Sequence, residues 1–221
     1  MKKYLIAKTE VLFGIYNGKI VWEEIVYKED PEKFLNNANK DLENLRNSTK
    51  KIKLFDLSNK TETEIYQDVN KNINGIQYAN GKVYFVADKG QKIEYIDLET
   101  KQKQTLCDLP KGGVSLNGIY DNKLQYCYYT GSEAKIDKAY YIDLETKESK
   151  EFKLFDKNRY LVEILAENKD FYFVRTGYEL GAEYSTWAGT KQQDIEKENY
   201  GLIKKEDYWN SKPEYISMKN T

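Results

Sequence analysis

The side chains in this sequence that could carry acid–base or ligand chemistry are carboxylates and tyrosines, because 221 positions hold 36 acidic residues and 20 tyrosines but no histidine. That absence removes the commonest general base, the Ser-His-Asp and Cys-His arrangements, and most zinc sites. Any general acid–base step would therefore fall to a pair of carboxyl groups, as in glycoside cleavage, where their separation sets the outcome. With acids this numerous, spacing alone selects no pair, and no residue is assigned as catalytic. The richest stretch is "TGYELGAEYSTWAGTKQQDIEKENYG", where Tyr178, Tyr184, Trp187 and Tyr200 stand among Glu179 and Glu183. Aromatic faces beside carboxylates can stack on a sugar or peptide while hydrogen-bonding its edges. The same residues could also simply pack the segment down. A shorter segment over 130–137 carries Glu133 and Asp137 and is expected beside it.

Other chemistries find no support in the residues. The sequence has no glycine-rich phosphate loop and no EF-hand spacing, so no cofactor and no metal are expected. Arg46, Arg159 and Arg175 are the only arginines and the net charge is −1, which argues against nucleic acid as a partner. Cys107 and Cys127 form no Cys-x-x-Cys arrangement and read as two unpaired, largely buried thiols. The apolar run 4–7 is shorter than the roughly 7–15 residues of an export-signal core, and no stretch approaches the ~20 apolar residues of a membrane span. The chain is then either cytoplasmic or one whose export signal has been removed, with no membrane insertion.

The elements that would position these residues are visible as a repeat. "YIDLETK" occurs at 95–101 and again at 141–147, Asn74-Gly75-Ile76 returns as Asn117-Gly118-Ile119, and Asn80-Gly81-Lys82 has counterparts at Asn17-Gly18-Lys19 and Asn122-Lys123. A period of this size indicates a repeat architecture. Asn-Gly suits the positive φ of a two-residue hairpin turn, so 73–79 and 82–87 read as a hairpin, followed by strands at 92–98 and 102–106. Each unit is a four-stranded antiparallel meander, the size of a propeller blade. Four units are expected in one domain spanning 1–221, at about 11–68, 73–110, 116–155 and 161–220. The fold class is all-β: a β-propeller of about four blades, or part of a larger one.

In the repeated heptapeptide the apolar residues (Tyr95, Ile96 and Leu98; Tyr141, Ile142 and Leu144) would pack between sheets. Asp97 and Asp143 read as turn residues rather than ligand contacts. The first and fourth units carry extra residues between their second and third strands, which places both inserts on one face. In the first, Asp30 is a suitable helix cap, Pro31 suits the first helical position, and Leu35, Ala38, Leu42 and Leu45 recur at helical spacing, predicting an α-helix over about 31–47. In the fourth, the insert is expected as a long loop, and long loops on rigid scaffolds tend to carry function. The outer strand of the last unit could come from 3–8 or from 214–218.

"KVYFVADKGQKIEYIDLE" (82–99) and "DNKLQYCYYTGSEAKIDKAYYIDLE" (121–145) resemble blades of the low-density-lipoprotein-receptor type propeller and its bacterial relatives of unknown function, and are similar in rhythm to TolB-type propellers. The receptor-type Tyr-Trp-Thr-Asp is replaced here: Tyr84 and Asp88 bracket Phe-Val-Ala and tryptophan is missing. The resemblance implies a bacterial, extracytoplasmic protein. The function expected is non-catalytic binding of a protein, peptide or glycan through a loop-decorated face that includes Tyr178, Glu179, Glu183, Tyr184, Trp187 and Glu133. The alternative is a carboxylate-dependent glycan-processing enzyme, a hydrolase or lyase, using acids such as Glu133, Glu179 or Glu183.

Overall fold

A computed structural model describes residues 10–34, 37, 40, 43–44, 47–68, 74–87, 90–110, 113–130, 135–185 and 191–217. The described chain forms four four-stranded antiparallel sheets, the blade pattern of a propeller-type fold. The first sheet takes β1 (Glu10–Tyr16), β2 (Lys19–Val26), β3 (Thr49–Asp56) and β4 (Glu62–Asp68) in chain order. The second takes β5 (Asn74–Ala79), β6 (Lys82–Ala87), β7 (Lys92–Asp97) and β8 (Lys103–Asp108). The third takes β9 (Val114–Tyr120), β10 (Lys123–Thr130), β11 (Lys135–Asp143) and β12 (Ser149–Phe152). The fourth takes β13 (Glu163–Glu167), β14 (Phe171–Ser185), β15 (Lys191–Lys204) and β16 (Ile216–Ser217). By contacts the chain divides into two compact units, residues 1–126 with 143–148 and residues 127–142 with 149–221.

In the first unit the turns dictate the register. Asn17 and Gly18 have φ of 46° and 72°, Asn80 and Gly81 of 49° and 70°, and Asp121 and Asn122 of 45° and 58°, the type I′ pattern whose twist matches paired strands. Strand three then leaves its sheet through a shared corner. In the repeated heptapeptide, Asp97 Oδ1 accepts the backbone N–H of Glu99 (3.0 Å) and Thr100 (3.0 Å), and Asp143 Oδ1 accepts those of Glu145 (3.0 Å) and Thr146 (3.1 Å). Asp56 does the same for Ser58 (2.8 Å) and Asn59 (3.4 Å), so the corner Asp-Leu-x-x-Lys is present three times, once with other letters between. Each corner ends on a lysine at positive φ: Lys60, Lys101 and Lys147.

The unit's core lies between its first two sheets. Val21, Ile52 and Leu54 meet Val83, Phe85, Ala87, Ile96 and Leu98, and Tyr66 stacks on Phe85 with ring centres 5.7 Å apart. On the other face of the second sheet Tyr84, Val86, Ile93 and Tyr95 are also buried, and the third sheet's β9 runs close to β5, as Gly75 against Leu116 shows. Burial on both faces explains why β6 is apolar from Val83 to Ala87.

The insert of the first sheet departs from a plain helix. Asp30 caps as expected, its Oδ1 accepting the Glu32 N–H at 3.0 Å, but what it caps is a 3-10 turn over Pro31–Phe34. Lys40, Glu43 and Asn44 are helical, and Asn44 is anchored by two hydrogen bonds to the Glu29 backbone. Leu35, Ala38, Leu42 and Leu45 lie outside the described residues.

In the second unit the centre is aromatic. A short helix α1 (Lys205–Trp209) follows β15 and buries Tyr208 and Trp209 against Phe152, Tyr172 and Tyr141, with ring centres 5.0–6.4 Å apart. Tyr208 donates to the Val162 carbonyl at 2.8 Å and the Trp209 indole to the Tyr172 hydroxyl at 3.0 Å, which satisfies the polar ends of large buried rings. The fourth strand of the last sheet comes from the C-terminal side, Ile216 opposite Leu202 and Ser217 opposite Gly201.

Candidate functional site

The expected long loop of the fourth unit is instead a β-ribbon. β14 and β15 pair from Phe171/Lys204 to Ser185/Lys191, whereas β13 reaches only as far as Arg175 and β16 covers only Gly201 and Leu202. Beyond that root, 177–185 and 191–199 continue as two strands with no third partner among the described residues, roughly 30 Å at about 3.3 Å per residue. The sequence hides this because a ribbon exposed on both faces needs no alternation of apolar and polar residues. Three register shifts, after Arg175, Glu179 and Leu180, twist the ribbon and re-aim its side chains. Gly177 marks the first. Its φ is 154°, and a Cβ there would stand 3.0 Å from that of Asp156.

Four of the six expected site residues lie along β14. Tyr178 sits at the root, half-buried, with the Arg175 guanidinium 4.7 Å from its ring centre and the Tyr160 ring edge-on at 5.9 Å. Arg175 is held between Glu198, at 3.1 Å, and Glu163, while Tyr200 donates to Glu198 and stacks on Phe173 at 5.6 Å. Tyr178 is thus part of a root cluster rather than a free stacking platform. Burial pushes its hydroxyl up, and hydrogen bonding to Glu198 pushes that of Tyr200 up, so both stay neutral at ordinary pH.

Farther out, Glu179 accepts from Lys197 at 3.0 Å and Asn199 at 3.4 Å, and these bonds hold its carboxyl below the usual glutamate range. Glu183 is exposed opposite Gln193. Tyr184, 43% exposed, donates to Asp194 at 3.0 Å, and Ile195 is 52% exposed. Trp187 and Glu133 lie outside the described residues, so the proposed neighbourhood of Glu133 and the ribbon has no geometry to report. Sequence reasoning missed Arg175, Glu163 and Glu198, which no motif marks. It also missed α1, although Glu206 and Asp207 in its first turn and Pro213 shortly after are helix signals.

A second concavity, of about 410 Å³, opens in the first unit and is lined by Tyr16, Lys19, Asp56, Thr61, Glu99 and Lys101 among others. Its Asp56 is committed to the corner turn, and hydrogen bonds from Ser58 hold that carboxyl low. The carboxyl of Glu23, buried on the core face of β2 beside Val21, is pushed up. Burial raises it and Lys50 partly offsets the rise. No group of three or more metal-ligating side chains occurs among the described residues, and no helix among them is long and apolar enough to cross a membrane.

No family model matches the chain, and no curated protein sequence matches it. Solved structures similar to it include TolB from Acinetobacter baumannii (15% identity, TM-score 0.42, 88% of this chain and 39% of that one). An oligogalacturonate lyase in complex with manganese is similar at 16% identity and TM-score 0.43, covering 85% of this chain and 54% of that one. The oligogalacturonate lyase of Vibrio parahaemolyticus matches at 14% and 0.44, covering 85% and 55%. The chain spans about half the length, or less, of these structures. At such identities and TM-scores they carry nothing about ligand or activity, and the fold class rests on the four sheets themselves.

Proposed function

We propose that this chain is a non-catalytic binding module whose contact element is the β14–β15 ribbon, and that its partner is an extended polypeptide. The observation that carries the reading is that no third strand pairs with 177–185 or 191–199 among the described residues, although side chains take the carbonyls of Tyr178, Gly181 and Asn199, and that exposed Tyr184 and Ile195 flank these edges. An unpaired edge is a template for main-chain hydrogen bonds with another strand, and apolar side chains beside it add selectivity. The resemblance of the second and third blades to receptor-type and TolB-type propellers supports a place outside the cytoplasmic membrane. A glycan ligand would use the same tyrosines by stacking.

The enzyme reading has weaker support. A general acid must hold its proton near working pH, and Glu179, one of its candidate acids, is pulled the other way by Lys197 and Asn199. The test is selection of peptides from a random display library on the intact chain, repeated with Tyr184→Ala and Ile195→Lys. Selected peptides that lose at least tenfold in affinity on either variant support the ribbon. Equal binding by all three proteins would remove it, and turnover of an oligosaccharide abolished by Glu183→Gln would establish the enzyme instead.

A further inference from the structure

The cleft of about 410 Å³ in the first unit lies between the corner of the first sheet and that of the second, and the internal repeat shows what such a place can hold. In the first sheet Lys19 is opposite Asp56, Val21 opposite Leu54, and Leu54 opposite Thr63. In the second, Lys82 is opposite Asp97, Tyr84 opposite Tyr95, and Tyr95 opposite Gln104. Counted from the Asn-Gly turns, Lys82, Tyr95 and Gln104 therefore hold the places of Lys19, Leu54 and Thr63.

In the second sheet these three places are taken by a phenol ring and its two partners. The Tyr95 ring, 7% exposed, lies under the Lys82 ammonium, which stands 5.1 Å from the ring centre, and its hydroxyl donates to Gln104 Oε1 at 2.6 Å. The first sheet keeps the cation and truncates the rest. Leu54 has no ring, Thr63 is shorter than glutamine, and Lys19 stands 3.9 Å from Asp56 Oδ2, while Asp56 Oδ1 is held by the corner. The Tyr16 ring walls the space and leans on Gly81, where a Cβ would stand 2.7 Å from it. The apolar lining is Leu54, Ile65 and Leu98, and Lys19 and Lys101 are balanced by Asp56 and Glu99, which favours a neutral guest.

We propose that this cleft binds a phenol ring from outside, as a small phenolic molecule or as the tyrosyl side chain of a polypeptide, in the way the second sheet holds its own Tyr95. The guest ring lies on Leu54 with the Lys19 ammonium over its face, where the ring quadrupole attracts a cation, and its hydroxyl meets the Thr63 side chain. An apolar body with one polar end suits a lining that is apolar at its base and carries a few polar groups, in a volume usual for small-molecule sites. A sugar would turn hydroxyls toward Leu54, Ile65 and Leu98, which offer them no partner. The inference is independent of the ribbon's partner, since every residue it uses belongs to the first unit.

Titration of the intact, isotope-labelled chain with p-cresol and with N-acetyltyrosinamide, followed by amide chemical shifts, tests it. p-Cresol should saturate the shifts of Lys19, Thr63 and Leu98 with a dissociation constant of about 1 mM, as suits a fragment of its size. Saturation by N-acetyltyrosinamide as well identifies a tyrosyl side chain as a guest, and saturation by p-cresol alone identifies a free phenolic. Cyclohexanol, which has the hydroxyl but no aromatic face, should bind about fivefold more weakly, and Lys19→Ala should weaken p-cresol by about as much without moving the urea midpoint. Leu54→Tyr combined with Thr63→Gln writes the second sheet's residues into the first and should abolish binding. Because Leu54 is part of the core, Thr63→Trp at an exposed position serves as a block that leaves the core untouched. No saturation by either phenol, equal binding of cyclohexanol, or binding indifferent to both Lys19→Ala and Thr63→Trp would each overturn the proposal.

Discussion

The second and fourth sheets are built from the same meander and end in different environments. β6 is apolar along almost its whole length because sheets cover it from both sides, while β14 alternates at its root, with Tyr172 and Val174 inward and Phe173 and Arg175 outward. Past the root, β14 and β15 leave the sheet altogether and carry charges neutralised across the ribbon, such as Lys197 with Glu179. A blade in this chain thus has a conserved inner architecture of turns and corners, and its apolar content follows the number of neighbours it meets. The difference separates a doubly covered sheet from one that ends in an exposed ribbon.

The comparison breaks first at Phe85. Its ring is fully buried and stacked on Tyr66, so Phe85→Ala should cost about 3–5 kcal/mol in urea unfolding, through lost contacts and an unfilled cavity. Phe173→Ala, at a half-exposed position of β14 where the ring stacks on the exposed Tyr200, should cost about 1 kcal/mol or less. Equal losses would mean that Phe173 is packed as tightly as Phe85.

A smaller effect is expected inside the second unit. Tyr208→Phe keeps the ring packing and removes the 2.8 Å hydrogen bond to the buried Val162 carbonyl, which should cost about 1–2 kcal/mol. Smaller still are the corners. Asp143→Ala removes two turn hydrogen bonds and should cost about 1 kcal/mol, with Asp97→Ala alike, whereas Glu145→Ala, exposed in the same turn, should cost nothing measurable.

Much of the blade was legible because it is local. Asn-Gly at 17–18 and 80–81 dictates a hairpin by its backbone preference alone, and "YIDLETK" fixes a corner through one aspartate. The third corner, at Asp56, escaped notice because only its Asp, Leu and Lys repeat while the intervening letters differ. The ribbon was not legible, since neither of its faces is buried and its sequence carries the polarity of a loop. The root cluster around Arg175 depends on β13, β14 and β15 meeting, a tertiary event with no local signature. Nor does "VWEEIV" reveal that Glu23 turns toward the core while Glu24 pairs with Lys53.

That pair of glutamates gives the smallest effect and the sharpest contrast, because it is read from pH. Burial raises the Glu23 carboxyl above its value in the unfolded chain, so below the ordinary glutamate range both states hold the proton and folding gains the full benefit. As pH rises through that range and then through the raised value, the unfolded chain releases the proton first and stability declines. Asp97 runs the opposite way: hydrogen bonds from the Thr100 and Glu99 backbone lower it, so its contribution is present above the ordinary aspartate range and disappears as pH falls. Urea midpoints measured between about pH 3 and 8 should therefore lose their decline on the upper side in Glu23→Gln and their acid-side loss in part in Asp97→Asn. An upper side unchanged by Glu23→Gln would place that carboxyl in water, and with it would go the tight seam between the first two sheets.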